Sequence, residues 1–211
     1  MRDFKKSTVR EYFESIVTAV VLALFIRTFI VQAFKIPTGS MENNLLIGDH
    51  LLVNKFVSGP TLSRLERGVL PMADVRRTDV IVFKYPEEPD RDFIKRVIGL
   101  PGETLELRNK KVYVDGRELN EPYVHFLEPA SASQEVTSFD VRERYGPVHV
   151  PADQYFVMGD NRDNSQDSRY WGFMPRSYVK GKALFVYFSF GEEGSNPLTS
   201  IRWNRIFHQI H

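Results

Sequence analysis

Two residues in this 211-residue chain could form a hydrolytic centre: Ser40 in "IPTGSM" (36–41) and Lys95 in "RDFIKRVIG" (91–99). The chain has no cysteine, which excludes disulfides, zinc–thiolate sites and a thiol nucleophile. Any nucleophile must be a hydroxyl, amine or carboxylate. Ser40 follows Pro37-Thr38-Gly39, a turn that can hold a hydroxyl exposed beside backbone N–H groups. A serine after a glycine is also an ordinary turn residue, so it needs a base. None of the five histidines accompanies a nucleophile-elbow or other triad pattern. Lys95 is the better candidate. In a strand over 92–98, Phe93, Lys95 and Val97 share one face and Ile94, Arg96 and Ile98 the other. Apolar neighbours would destabilise the Lys95 ammonium and lower its pKa, turning lysine into a general base near neutral pH. The competing reading is a surface lysine that guards a sheet edge. Serine activated by lysine is a recognised form of nucleophilic catalysis.

A third stretch, "GDNRDNSQDSRYWG" (159–172), carries Asp160, Asp163, Asp167, Arg162 and Arg169 among asparagines and serines. A calcium loop fails on spacing, since Arg162 falls at the third ligand position counted from Asp160. Alternating Asp and Arg instead suit an ion-paired knot that holds side chains in fixed geometry.

The elements that must position these residues are mostly strands. Runs at 49–56, 79–85, 92–99, 104–116, 154–160 and 182–190 are rich in Val, Ile, Phe and Tyr and bounded by Gly, Pro and Asp. Asp115-Gly116 marks a tight hairpin within a ribbon over 104–120, and the small polar stretch 128–140 reads as a mobile loop. With no long helical pattern between the strands, a largely antiparallel sheet folded on itself is expected. The C-terminal "IRWNRIFHQI" puts Trp203, Ile206, Phe207 and Ile210 on one face of a helix, away from Arg202 and Arg205. That face could meet a membrane interface or the flank of the core.

The chain is 42% hydrophobic, enough for a core, and 28 Lys+Arg against 27 Asp+Glu give a net charge of +1. The electrostatic footprint of a nucleic-acid binder is missing. The segregated charge is N-terminal, where Arg2, Lys5, Lys6 and Arg10 precede the apolar run Ile16–Ile26. A helix over 16–34 would be about 28 Å long and could cross a bilayer. The positive-inside rule then keeps the first residues cytoplasmic. Two alternatives are a removable signal peptide ending at Val31-Gln32-Ala33 and a buried core helix.

Taken together, "IPTGSMENNLLIGDHLLVNKF", "RDFIKRVIGLPGE" and "GDNRDNSQDSRYWG", in that order behind an N-terminal span, resemble bacterial signal peptidase I, the membrane-bound Ser-Lys endopeptidase that removes signal peptides from exported preproteins. The resemblance implies a mainly β chain: a cytoplasmic N-terminus (1–14), a single transmembrane anchor (15–33), a partly barrel-like catalytic core (34–102 and 151–211) and an inserted, non-catalytic β domain (103–150). It implies a location in the bacterial inner membrane with the catalytic domain on the outer face. Its partners are signal peptides and membrane lipid, with no cofactor, metal or nucleic acid. Ser40 resembles the nucleophile and Lys95 the general base. Thr38, with the Ser40 backbone N–H, resembles the oxyanion hole, and Ser165 the serine that orients the lysine. Asp160, Arg162, Asp167 and Arg169 resemble the supporting ionic network. Phe34, Ile36, Pro37, Met41, Leu45, Phe93 and Ile94 resemble the walls of the pockets for small substrate side chains. Thr78 stands where the family usually has glycine, so the turn before its strand is expected to differ. Lys110, on the ribbon of the inserted domain, is expected to tolerate replacement by arginine. A related Ser-Lys maturase with one dedicated substrate, or an anchored peptide-binding module without catalysis, are the alternative functions.

Overall fold

The computed structural model describes residues 8–56, 74–127, 140–191 and 200–210. The N-terminal apolar run forms helix α1 (Thr8–Phe25), continued by a wider π-type turn over Ile26–Ile30. The most apolar 18-residue stretch of these 23 residues has a mean hydropathy of 2.0, and none of it is buried against the rest of the chain. They are long and apolar enough to cross a membrane, and their lack of protein cover removes the core-helix alternative. The helix starts and ends earlier than the expected 15–33. Its polar first turns are supported by the Arg10–Glu14 pair at 2.8 Å. It stops at Ile30 because the next five residues pair as a strand, which places Val31-Gln32-Ala33 inside the main sheet rather than at a removable junction.

The strands in chain order are β1 (Val31–Lys35), β2 (Asp49–Asn54), β3 (Val80–Lys84), β4 (Asp92–Gly99), β5 (Thr104–Arg108), β6 (Lys111–Val114), β7 (Arg117–Glu118), β8 (Arg144–His149), β9 (Gln154–Met158), β10 (Met174–Pro175), β11 (Val179–Ser189) and β12 (His208–Gln209). A short helix, α2 (Ser168–Trp171), precedes β10. The main sheet has the order β1-β2-β11-β3-β4-β9-β10 with β12 on β11, and every pairing is antiparallel.

This sheet curls into a half barrel. Across a flat sheet β1 and β4, four strand spacings apart, would be separated by about 19 Å; here residues following β1 and residues of β4 line one cleft. The curl has local causes. Long β11 slips register at Ala183/Phe185, Val186/Phe188 and Val179/Gly181, and such bulges bend a strand and increase its twist. Gly181 is required there, since a Cβ would fall 2.3 Å from the Asn54 carbonyl oxygen. Inside the curl, β2 alternates buried and half-buried residues, whereas β3, the second half of β4 and β9 are buried almost continuously because both their faces are covered. Lys95 and Arg96 are therefore both enclosed, although they point to opposite faces.

The strands of 104–149 make a separate four-stranded sheet of order β7-β6-β5-β8. Asp115 and Gly116, at φ 49° and 77°, turn β6 into β7 as expected, and Asn109-Lys110, at 50° and 66°, make a second tight turn between β5 and β6. This sheet does not close a core alone: Leu105, Leu107 and Val112 pack with Ile98, Phe156 and Met158 of the main sheet. Lys110 is buried, 7% exposed, so it is not the permissive ribbon lysine that the sequence implied. Apart from Asp140, the expected loop 128–140 lies outside the described residues.

The C-terminal segment is not an amphipathic helix. It makes one 3-10 turn (Trp203–Arg205), and β12 then returns along β11, with Phe207 N–H donating to the Val186 carbonyl at 2.8 Å. Ile210 packs against the core, while Trp203 and Phe207 project outward, 69% and 75% exposed. Arg205 turns inward and makes a bidentate pair with fully buried Asp49 at 3.0 and 2.6 Å, a pairing that a helix over these residues would break.

In the turn before β3, Thr78 adopts the left-handed conformation at φ 72°. A β-branched residue is strained in this region. Thr78→Gly should raise stability by about 1 kcal/mol, read as a higher denaturant midpoint in detergent; a lower midpoint would show that the threonine is not strained.

Candidate active site

The chain after β1 turns inward at Ile36, crosses Pro37-Thr38 in extended form, and coils once as a 3-10 turn over Gly39–Met41. That turn is stitched to the end of β9. Asn161 N–H donates to the Ser40 carbonyl at 3.2 Å, and its side-chain amide donates to the Gly39 carbonyl at 3.2 Å. Behind it, Met41 joins Ile36 and Leu45 in the core, which anchors the turn from below. Ser40 is thus held at the floor of a cleft of about 620 Å³.

Lys95 arrives from β4. Its Nζ lies 2.7 Å from Ser40 Oγ and 3.1 Å from the Ile94 carbonyl oxygen, and the residue is only 3% exposed. Burial drives the amine down to about 8, against the attraction of Asp167 and Asp160, which works the other way. The arrangement offers a hydroxyl in contact with an amine that loses its proton near pH 8, more than two units below a free lysine. Such a pair can transfer a proton from oxygen to nitrogen.

Phe34, Ile36, Pro37, Thr38, Met41, Phe93 and Ile94 all line the cleft. Leu45 does not: it is fully buried behind Met41. Ser165 lines the same cleft, but its buried Oγ forms no hydrogen bond to Lys95 and sits beside Asp167, whose carboxyl it helps to hold low. The expected acidic–basic knot is distributed differently from the sequence reading. Asp167 pairs within the stretch, with Arg169, at 2.8 Å through both oxygens. Burial alone would raise the Asp167 carboxyl, but Arg169 and the Gly159 N–H hold it below the usual carboxylate range. Asp160 pairs not with Arg162 but with Arg96 of β4, at 2.7 and 2.6 Å. Arg162 reaches Glu121 beyond β7, through Nη1 at 3.0 Å and a second contact from Nη2.

Two residues escaped the sequence reading. Arg96, fully buried, makes its bidentate pair with Asp160, donates to the Thr78 carbonyl at 2.7 Å and stacks over Tyr123. An arginine inside the apolar run "IKRVIG" is the signal, because a buried guanidinium requires a carboxylate partner. Gly159 opens the third motif. A Cβ there would lie 2.4 Å from the Ser40 carbonyl oxygen and 2.3 Å from Ser165 Oγ. Gly159→Ala should therefore push the Ser40 turn out of place, costing about 1–3 kcal/mol of stability and most of the activity. A folded, fully active Gly159→Ala protein, judged by thermal melting and turnover, would mean that the turn can yield.

Comparison with known proteins gives the family. Residues 9–188 match the family described as signal peptidase, peptidase S26. Signal peptidase I of Pseudomonas aeruginosa is 36% identical over 97% of this chain and 81% of its own. A probable signal peptidase I-2 of Synechocystis is 42% identical over 87% of this chain and 74% of its own. A crystal structure of a signal peptidase I from Enterococcus faecalis, 36% identical, covers 52% of this chain and 97% of that one with a TM-score of 0.42. The chain belongs to the signal peptidase family, peptidase S26.

Proposed function

We propose that this protein is a membrane-anchored serine endopeptidase that cuts signal peptides from exported preproteins, with Ser40 as nucleophile and Lys95 as general base. The 2.7 Å contact between Ser40 Oγ and an enclosed, pKa-lowered lysine carries the reading. Neutral Lys95 takes the Ser40 proton as Oγ attacks the scissile carbonyl carbon. The resulting oxyanion accepts hydrogen bonds from the Ser40 N–H and the Thr38 hydroxyl. The Lys95 ammonium returns its proton to the leaving amine, and neutral again, it activates the water that releases the acyl group from Ser40. Ser165, Asp160, Arg162, Asp167 and Arg169 hold this geometry from behind.

The substrate enters as a strand. β3 pairs with Asp92–Arg96 along one edge of β4, and β9 takes up the other edge only from Arg96 onward. Among the described strands, the remaining edge of β4 is open beside the cleft, where an extended peptide can add. The pockets walled by Phe34, Ile36, Met41, Phe93 and Ile94 leave room for small side chains. Helix α1 with its π-type turn forms the anchor, and the cations before Ile16 keep the N-terminus cytoplasmic. Exposed Trp203, Phe207, Ile47 and Phe190 supply an apolar aromatic surface for the lipid interface of the outer leaflet.

A synthetic signal-sequence peptide added outside sealed right-side-out membranes should be cut after alanine at −1 without detergent. Phenylalanine at −1 should be disfavoured by about 1–3 kcal/mol in the transition state. No cut, or equal cutting of both peptides, sinks the activity or the pocket assignment respectively, and cutting that appears only after lysis sinks the orientation.

Because the base must be unprotonated, kcat/KM should climb with pH through a midpoint near 8, the value to which burial brings Lys95. Lys95→Arg should lose activity about 10²–10⁴-fold, as severely as Ser40→Ala, since a guanidinium stays protonated. Exposed Lys84→Arg should be neutral. Turnover by folded Lys95→Arg would return the search for a base to the histidines.

A further inference from the structure

The reaction scheme leaves unused an ion pair that joins the four-stranded sheet to the cleft. Lys110 occupies the second central position of the β5–β6 turn at φ 66°. Tight hairpin turns of this kind favour glycine there, because a side chain is strained at positive φ. The turn does not explain the lysine; its side chain does. Buried Lys110 places Nζ 3.0 and 3.2 Å from the two carboxylate oxygens of Asp163, itself enclosed. Asp163 also accepts the Leu127 N–H at 3.0 Å. Alongside, His125 N–H donates to the Asp160 carbonyl at 2.8 Å, and Arg162 N–H donates to the His125 carbonyl at 3.0 Å. The chain before 128 is thereby laced to residues 160–163, with Lys110 closing the seam.

Asp163 begins the run Asp163–Gln166, which lines the cleft together with Ser40 and Lys95. Within that run the position of Ser165 Oγ is set by its neighbours: Gly159 beneath it, Asp167, whose carboxyl it helps to hold low, after it, and Asp163 before it. Two of these supports lie within the third motif's own hydrogen bonding, and the third depends on Lys110.

We propose that Lys110 is a positioning residue for peptide cleavage: by holding Asp163 it fixes the Asp163–Gln166 wall of the cleft, and with it the Ser165 hydroxyl next to Ser40. The inference rests on the cleavage reaction proposed above, and it makes the four-stranded sheet a support of the catalytic cleft.

The test compares full-length wild type, Lys110→Met, Lys111→Met and Ser165→Ala in detergent, by amide hydrogen exchange and by peptide cleavage. Lys111 is the control, because it is exposed and pairs with Glu118 at the surface. In Lys110→Met, exchange over 162–167 should speed up about tenfold or more while β2 and β11 keep wild-type rates. Its kcat/KM should fall about tenfold or more, with Lys111→Met unchanged. The loss should shrink in a Ser165→Ala background, because both changes act on one wall. Folded Lys110→Met with wild-type exchange and kcat/KM overturns the proposal, and so does a loss that adds in full to that of Ser165→Ala. Should Lys110→Met fail to fold, Asp163→Asn, which keeps the shape and removes the charge, decides by the same readouts. Wild type that cuts no peptide would sink the cleavage reading alone, since the exchange comparison still reports whether Lys110 holds the wall.

Discussion

The structure is organised around keeping one amine out of water. A lysine ammonium is stable in solvent, and bringing it down to about 8 from 10.5 corresponds to about 3 kcal/mol of lost preference for the charged form. Only enclosure on both faces of β4 supplies that. A flat antiparallel sheet leaves one face to solvent, so the bulges of β11 and the close approach at Gly181 matter to the chemistry: they curl the sheet until the segment following β1 covers Lys95 from across the cleft.

The same enclosure would be undone by unbalanced carboxylates. Asp160 and Asp167 both act on Lys95 and favour its ammonium. Each is matched by an arginine, Arg96 and Arg169, at hydrogen-bonding distance, so the field left at Lys95 is small and desolvation decides its charge. These buried pairs are also structural necessities, since removing either partner would strand a charge in a region without water. Arg96 adds a further link, because the carbonyl it holds belongs to Thr78, the strained residue in the turn before β3. The turn, the strand carrying the lysine and the motif carrying Ser165 are thus fastened by one guanidinium.

Much of this could be read from the sequence. Ser40 and Lys95 were legible because few side chains can do their chemistry in a chain without cysteine, and strand patterns located six runs. Pairings across long sequence separations were not legible. Nothing local distinguishes Asp160–Arg96 from Asp160–Arg162. Lys110 was misjudged because a ribbon turn reads as surface, whereas here its side chain lies against the back of the cleft wall. The C-terminal segment was misread because spacing of three and four among its apolar residues mimics a helix; Asp49, more than 150 residues away in sequence, claims Arg205 and forces another path. The helix boundary slipped because Val31–Lys35 is apolar enough to continue a helix, and only its partner β2 shows that it does not.

Helix α1 passes through its π-type turn straight into β1, and Ser40 is the tenth residue after Ile30. A chain of that length reaches at most about 33–36 Å, and five of its residues are locked in a sheet ladder. At this junction helix, π-type turn and strand follow one another without an irregular segment between them. The proposed anchor and the proposed nucleophile therefore behave as parts of a ruler. The depth at which a peptide bond can be met is fixed by the protein's own geometry, and a substrate must bring its bond to that height. Loop length between helix and sheet, a quantity usually free to drift, is on this view as tightly constrained as Ser40 and Lys95 themselves.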